Sequence, residues 1–291
     1  MAEYKGIYDY RRIIANERMA YEFIRKVRWP KGVRCPRCKS PGNRHFNEQG
    51  IPKHQCKKCN YKFSDTTGTI FQSTKLPLTK WIAAIALFKI GISALQLSKE
   101  IAISYRIAWK LMHKLRIVVD DSLLNQMCGK IEIDETYYGG REHRHRKYGK
   151  TGFKNKTPVI GIRSRDGRVK TIVLPNLQSQ KIKQIVKEHI EPGSILYTDD
   201  HKLHRKFGQW GFTHKKINKL FGFLVKPDVH TNSIEGYWML SKNKLYARHH
   251  QMSKKYLPKY LAECDYKFNN RSQLDPIKDI IQRLILTPLS E

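Results

Sequence analysis

The chain is poor in acids. Against 56 lysines and arginines it sets only 25 aspartates and glutamates, so its 291 residues carry a formal net charge of +31. A fold with that imbalance repels itself until a polyanion neutralises it, and nucleic acid is the first polyanion to consider. Long apolar runs are also missing. Stretches such as Trp81–Leu87 soon meet a lysine, far short of the roughly 20 apolar residues that cross a bilayer, so no membrane partner is expected. The opening MAEYKGIYDYRR has no apolar core, which points away from a secretion signal. Internal repeats and low-complexity segments are absent as well. Core material is not lacking: apolar residues make up 40% of the chain and aromatics 11%, too many for a disordered basic tail. The length suits about two domains of about 150 residues. Cysteine is scarce but ordered, six residues falling as two CxxC pairs and two single positions. Without a secretion signal, that pattern points to a metal and not to disulfides.

The pairs are Cys35-Pro-Arg-Cys38 and Cys56-Lys-Lys-Cys59, with 17 residues between them. Each CxxC is a tight knuckle that sets two thiolates on one side of an ion. Two knuckles close a tetrahedral zinc site, and the spacer becomes a hairpin. Four thiolates leave Zn2+ no open position, so the site is structural. Around it, Arg34, Arg37, Arg44, Lys57 and Lys58 suit phosphate contact or a solvated basic surface. Ahead of the ribbon, Glu17–Val27 has helical character and Pro30 ends it.

Residues 76–117 read as helices. Thr79 is placed to cap a helix running to Phe88, with Trp81, Ile82, Ile85 and Phe88 on its apolar stripe. Gly91 breaks it, Ala94–Ile101 forms a short second helix, and Ser104 caps a third, Tyr105–Arg116. Short helix, tight turn and basic third helix make a helix-turn-helix, in which Ser104, Tyr105, Arg106 and Lys110 would reach the major groove. A three-helix bundle used only for packing is the competing interpretation.

From residue 130 the period changes to two. Ile131 and Ile133 fall on one strand face, and Glu132, Asp134 and Thr136 on the other. A basic loop, Arg141–Lys156, follows, in which Arg141, Arg144, Arg146 and Lys147 are candidate DNA contacts. Pro158–Ser164 and Arg168–Leu174 form a hairpin about Arg165-Asp166-Gly167. Asn176–Ile190 is a helix, and Ser194–Thr198 a strand ending at Asp199-Asp200. Three antiparallel strands, a helix and a further strand open a ribonuclease-H-like fold. There, an acid of the first strand and one at the end of the fourth lie side by side, a place for two divalent cations held by hard oxygens. Asp134 and Asp199 fit these positions. Glu235, on a later helix, supplies the third ligand. Lys242, two helical turns beyond Glu235, shares its face and would reach phosphate. Asn232 and Glu235 also have the spacing of a capping box. The histidines at 143, 145, 201, 204, 249 and 250 sit in a basic, surface-like context that suits phosphate contact or exposure. Cys128 and Cys264 read as buried thiols, Trp210 and Trp238 as core, and Tyr256–Phe268 and Asp275–Leu286 as late helices packed on the sheet.

In this order the motifs resemble a known family. They are the ribbon, the helix-turn-helix ending in Arg116, Ile131-Glu-Ile-Asp-Glu-Thr-Tyr-Tyr-Gly-Gly140, Tyr197-Thr-Asp199, His230-Thr-Asn-Ser-Ile-Glu-Gly-Tyr-Trp238 with Lys242, and Tyr266-Lys-Phe-Asn-Asn-Arg271. Together they cover roughly residues 20–271, and they are similar to the zinc-ribbon-bearing DDE transposases of bacterial insertion sequences. The resemblance implies a multi-domain α/β protein: lead-in 1–32, zinc ribbon 33–63, helix-turn-helix 76–120, ribonuclease-H-like mixed sheet with flanking helices 128–271, and C-terminal helix 272–291. It implies a Mg2+ (or Mn2+) enzyme with Asp134, Asp199 and Glu235 as its triad, Lys242 as basic partner and Asp200 as a partial substitute for Asp199; related sequences offer Asn232 as the alternative third ligand, and Glu235 is preferred because an anionic oxygen binds Mg2+ more strongly than an amide. The partners it implies are double-stranded DNA, as element ends and target, and further copies of the chain on that DNA. The expected location is the bacterial cytoplasm, at the nucleoid. A DNA-binding regulator without catalysis and a nuclease that cuts without joining remain alternatives.

Overall fold

The computed structural model describes residues 4–72, 74–120, 126–139, 156–199, 204, 207–217, 230–249 and 252–287. The chain divides into two units, Met1–Val119 with Ser272–Glu291, and Asp120–Arg271. Among the described residues no helix is long and apolar enough to cross a membrane.

In the first unit, α1 (Arg11–Ala15) leads into α2 (Glu17–Arg28), which Asn16 caps by accepting the Met19 N–H. The ribbon follows as an antiparallel sheet of β1 (Asn43–Glu48), β2 (Ile51–Cys56) and β3 (Lys62–Ser64). A buried polar cluster anchors it: the Asp65 carboxylate accepts from Arg25 Nε at 3.0 Å and Nη2 at 2.9 Å, and lies 2.7 Å from His54 Nε2. Burial alone would raise the Asp65 pKa, but the hydrogen bonds from His54 and Arg25 hold it below the usual range.

Three more helices follow: α3 (Leu78–Ile90), α4 (Ala94–Glu100) and α5 (Tyr105–Val118). The expected cap of α3 at Thr79 is not what forms. The helix starts two residues earlier, after Pro77, and the Glu17 carboxylate of α2 accepts the Leu78 and Thr79 N–H groups at 2.8 and 3.1 Å. A carboxylate reaching both orphan donors displaces the local hydroxyl. Gly91 ends α3 in the left-handed region, φ 94°. Ser93 and Gln96 form a capping box on α4, and Ser104 caps α5.

The last helix, α9 (Pro276–Leu286), corrects a second expectation. It packs against α2, α3 and α5 of the first unit, not on the large sheet. Its Ile277, Ile280, Ile281 and Leu284 are buried.

The second unit holds a five-stranded sheet of order β6-β5-β4-β7-β8, formed by β4 (Lys130–Tyr138), β5 (Thr157–Ser164), β6 (Val169–Val173), β7 (Ile195–Asp199) and β8 (Thr213–Ile217). β4, β5 and β6 pair antiparallel, while β7 and β8 run parallel to β4. That order and polarity make a ribonuclease-H-like fold. One face packs against α6 (Ser179–His189) through Ile131, Ile133, Ile160, Ile162, Ile182 and Val186. The other packs against α7 (Asn232–Arg248) and α8 (Leu257–Asn269) through Val159, Val169, Ile234, Trp238 and Leu261. β8 escapes a sequence reading because Thr-His-Lys-Lys-Ile carries one apolar residue, and only its pairing with β7 makes it a strand.

Candidate active site

The ribbon's metal centre is built twice over by the same local geometry. The Lys39 N–H bonds to Cys35 O and the Asn60 N–H to Cys56 O, and both Lys39 and Asn60 are left-handed, φ 61° and 56°. The four sulfurs lie within 4.8 Å of one another, with Cys35–Cys59 at 3.7 Å and Cys38–Cys56 at 3.5 Å. A tetrahedron with Zn–S of about 2.3 Å has edges of about 3.8 Å, so the cradle has the size of a Zn2+ thiolate site.

In the helix-turn-helix, Ser104, Tyr105, Arg106 and Lys110 are exposed on the first turns of α5. Ile107, which the sequence reading passed over, is also exposed there, at 47%. Arg141, Arg144, Arg146 and Lys147 lie outside the described residues, as do Asp200 and the histidines at 143, 145, 201 and 250.

The acids belong to the ribonuclease-H-like unit. Alternation along β4 places Glu132, Asp134, Thr136 and Tyr138 toward α7, opposite Ile131 and Ile133. β4 and β7 pair Glu132 with Tyr197. Carried two residues further, the same register sets Asp134 beside Asp199 at the end of β7. The pair is electrostatically close. Burial first, and then the charges of Glu135 and Asp199, push the Asp134 carboxyl up to about 6. The indole N–H of Trp238, donating to Asp134 Oδ2 at 3.0 Å, opposes that rise.

Trp238 reaches Asp134 because residue 161 on β5, opposite Asp134, is glycine. A Cβ there would lie 2.7 Å from Trp238 Cη2 and 2.9 Å from Ile234 Cδ1.

His204 departs from the sequence expectation. It is fully buried, not surface-like, with Nδ1 3.0 Å from Asp199 Oδ1 and Nε2 2.8 Å from Glu135 Oε1. Desolvation lowers its pKa, but the hydrogen bonds to Asp199 and Glu135 outweigh it and push the pKa up to about 10. Cys128 also departs, being exposed, while Cys264 is buried.

Glu235 stands on the exposed side of the first turn of α7, with its carboxylate accepting from Thr231 Oγ1 at 3.0 Å. The capping box suggested by Asn232 and Glu235 does not form. Asn232 is the first helical residue and exposed, Thr231 stands at the cap position, and the Ile234 N–H goes to Glu132 Oε2 at 3.0 Å. Lys242 donates to Thr136 Oγ1. Burial lowers its pKa, and the charge of Asp134 pulls the other way.

Among the described residues, the four cysteines form the only group of three or more His, Cys, Asp or Glu whose ligand atoms lie within 4.8 Å of one another. Asp134 and Asp199 are near enough to interact electrostatically, and Glu235 is on the helix whose Trp238 bonds Asp134, but the three carboxylates do not close to within 4.8 Å of one another. Hard oxygens whose mutual repulsion raises a carboxyl pKa fit a divalent cation, which relieves that repulsion. Glu132, Glu135, Trp238 and His204 are the partners that sequence reasoning missed. For Glu132 a signal existed: it shares the inward face with Asp134.

A tetracysteine ribbon and a helix-turn-helix, in one chain with a ribonuclease-H-like sheet that crowds carboxylates on adjacent strands, define a class of nucleic-acid-processing proteins. Residues 126–269 match the model of the ISXO2-like transposase domain, and residues 15–62 that of the transposase zinc-ribbon domain. A protein of the transposable element ISH50 of Halobacterium salinarum is 26% identical over 290 residues, covering 94% of this chain and 97% of the relative. A transposase-like protein of Haemophilus influenzae is 30% identical over 118 residues, 40% of this chain and 94% of the relative. The chain belongs to the zinc-ribbon-bearing transposase family of insertion sequences.

Proposed function

We propose that the protein is a DNA transposase that binds the ends of its insertion sequence, cuts them and joins them to target DNA. The observation that carries this reading is that Asp134 and Asp199 stand on adjacent parallel strands, with the charge of Asp199, after burial and the charge of Glu135, raising the Asp134 carboxyl pKa. In this reading the ribbon at 33–63 and the helix-turn-helix at 76–120 hold double-stranded DNA, and residues 128–271 perform the chemistry, with further copies of the chain on the same DNA.

Asp134, Asp199 and Glu235, with Asn232 as a neighbouring oxygen donor, would hold Mg2+ or Mn2+, which when bound supplies Lewis-acid activation of the attacking and leaving oxygens. The rest is positioning. Trp238 engages Oδ2 of Asp134. His204 bridges the carboxylates of Asp199 and Glu135. Lys242, partly buried beside Thr136 and within the electrostatic reach of Asp134, offers a cation to a phosphate. Phosphoryl transfer by positioned metals needs no Ser, Tyr or Cys nucleophile.

The test uses the full chain, duplexes carrying the element's ends, and Mg2+. Asp134→Asn should bind the ends as the parent does and lose cleavage, and a 3′-hydroxyl-ended oligonucleotide should be joined to target only by the parent. Glu235→Gln should abolish cleavage, while Asn232→Ala should slow it. Cleavage by Asp134→Asn at the parental rate would refute the reading. Binding without cleavage by the parent would mark a regulator, and cleavage without joining a nuclease.

A further inference from the structure

The inward row of β4 is bonded, residue by residue, to α7. Glu132 Oε2 accepts the Ile234 N–H, Asp134 Oδ2 the Trp238 indole N–H and Thr136 Oγ1 the Lys242 ammonium, and the Tyr138 and Ser241 hydroxyls are bonded at 2.6 Å. The first three rungs step by two along the strand and by four along the helix. Two strand residues advance about 6.7 Å, and four helical residues about 6 Å. The two elements therefore match in pitch, and the ladder works only in this axial register. Sliding α7 by one residue would move each group about 1.5 Å and turn it about 100° away.

The rungs are not equivalent. Those of Asp134, Thr136 and Tyr138 end on side chains, whose rotamers can absorb a shift. Glu132 grips the helix backbone, at the N–H immediately before Glu235. It is fully buried, and its other oxygen is fixed by Arg165 Nε at 3.0 Å. Arg165 Nη2 in turn holds His230 O at 3.0 Å, and Arg163 Nη1 donates to Ser233 O. A carboxylate among the first-turn N–H groups of a 17-residue helix is also favoured by the helix dipole. Glu132 itself is fully buried among these partners, so its charge serves the register and not the substrate.

We infer that Glu132 is a positioning residue: by capping α7 from the neighbouring strand, it sets where Glu235 and Asn232 stand relative to Asp134. This rests on the proposal that Asp134 is a metal ligand. It predicts that Glu132 governs divalent-ion affinity without touching the ion, as outer partners of ligands do, typically by about 10- to 100-fold.

The test measures Mn2+ binding to the full chain by electron paramagnetic resonance, together with the melting temperature, for the parent, Glu132→Gln and Asp134→Asn. Asp134→Asn defines the site and should remove the tight Mn2+ class. Glu132→Gln keeps the size and one acceptor but turns an amide N–H2 toward Arg165. It should fold and bind Mn2+ about tenfold more weakly. Parental Mn2+ affinity in a folded Glu132→Gln, with only the melting temperature lowered, would overturn the inference and leave Glu132 a structural cap. Equal Mn2+ binding by the parent and Asp134→Asn would instead overturn the reading beneath it, and the inference with it. Should Glu132→Gln not fold, Arg165→Lys keeps the charge but loses the guanidinium clamp. Weakened Mn2+ binding there supports the inference, and unchanged binding refutes it.

Discussion

Asp134 is held by residues that have no other reason to meet it. Gly161 leaves the space, Trp238 fills it, and the indole N–H ends on the carboxylate. Gly161→Ala has no strain in φ to overcome and only the clash of its Cβ, so it should cost about 1–3 kcal/mol by overpacking, read as a shift in the denaturation midpoint. Trp238→Phe alongside it should restore part of that loss, because the smaller ring yields the space; an unchanged midpoint in Gly161→Ala would mean that Trp238 does not lie over the glycine. Asp265 gives the pH dependence. It is buried, accepts from Thr171 N and Oγ1 at 2.8 and 2.9 Å and from the Tyr237 hydroxyl, and burial pushes its pKa up to about 6 despite those bonds. Because the folded state keeps this proton longer than the unfolded state, the contribution of Asp265 to stability falls as pH rises from about 4 to about 6 and is flat above. The drop is on the order of 3 kcal/mol. Asp265→Asn should lower stability overall yet flatten the pH slope in that window, which chemical denaturation at pH 4.5 and 6.5 would reveal; identical slopes would refute the assignment.

At the scale of elements, the ribbon and α9 depend on different forces. The ribbon's buried cluster is small, built around Cys35, Cys56 and Phe63, so its order must come from the ion and from the tie of Asp65 to His54 and Arg25. Chelation should increase hydrogen exchange across residues 33–63 and leave β4–β7 protected, since a structural zinc site contributes folding energy outright. Equal protection of the ribbon with and without chelator would contradict this. α9 is capped by Asp275, which accepts the Lys278 N–H at 3.1 Å, and is held to the first unit mainly by apolar burial. Ile280 is fully buried, so Ile280→Ala should destabilise the first unit by about 2–5 kcal/mol. Limited proteolysis should then open the α2–α5 region before the ribonuclease-H-like sheet. Both outcomes follow from α9 belonging with helices more than 150 residues earlier in the chain.

At the scale of the whole molecule, a net charge of +31 makes DNA affinity a function of salt. Contact with ~8 phosphates would lower affinity roughly 10⁴-fold between about 50 and 200 mM salt, and a flat salt dependence would exclude a phosphate-dominated interface. The sequence by itself determined whatever short-range chemistry governs. The knuckle spacing specified the four-thiolate cradle, Gly91 ended α3 and Ser104 capped α5, and the alternation of β4 sorted Ile131 and Ile133 from Glu132 and Asp134. Each of these needs only neighbours within a turn or along a strand. Tertiary structure alone decided that Glu132 caps α7 across 102 positions, that Trp238 reaches Asp134 across 104, and that His204 lies buried between two carboxylates. It likewise gave α3 its cap from Glu17 and drew α9 away from the sheet. The reason is physical: a hydrogen bond or a methyl contact is blind to sequence distance, so which acid is buried, and which residue satisfies it, is settled only when the layers close on one another.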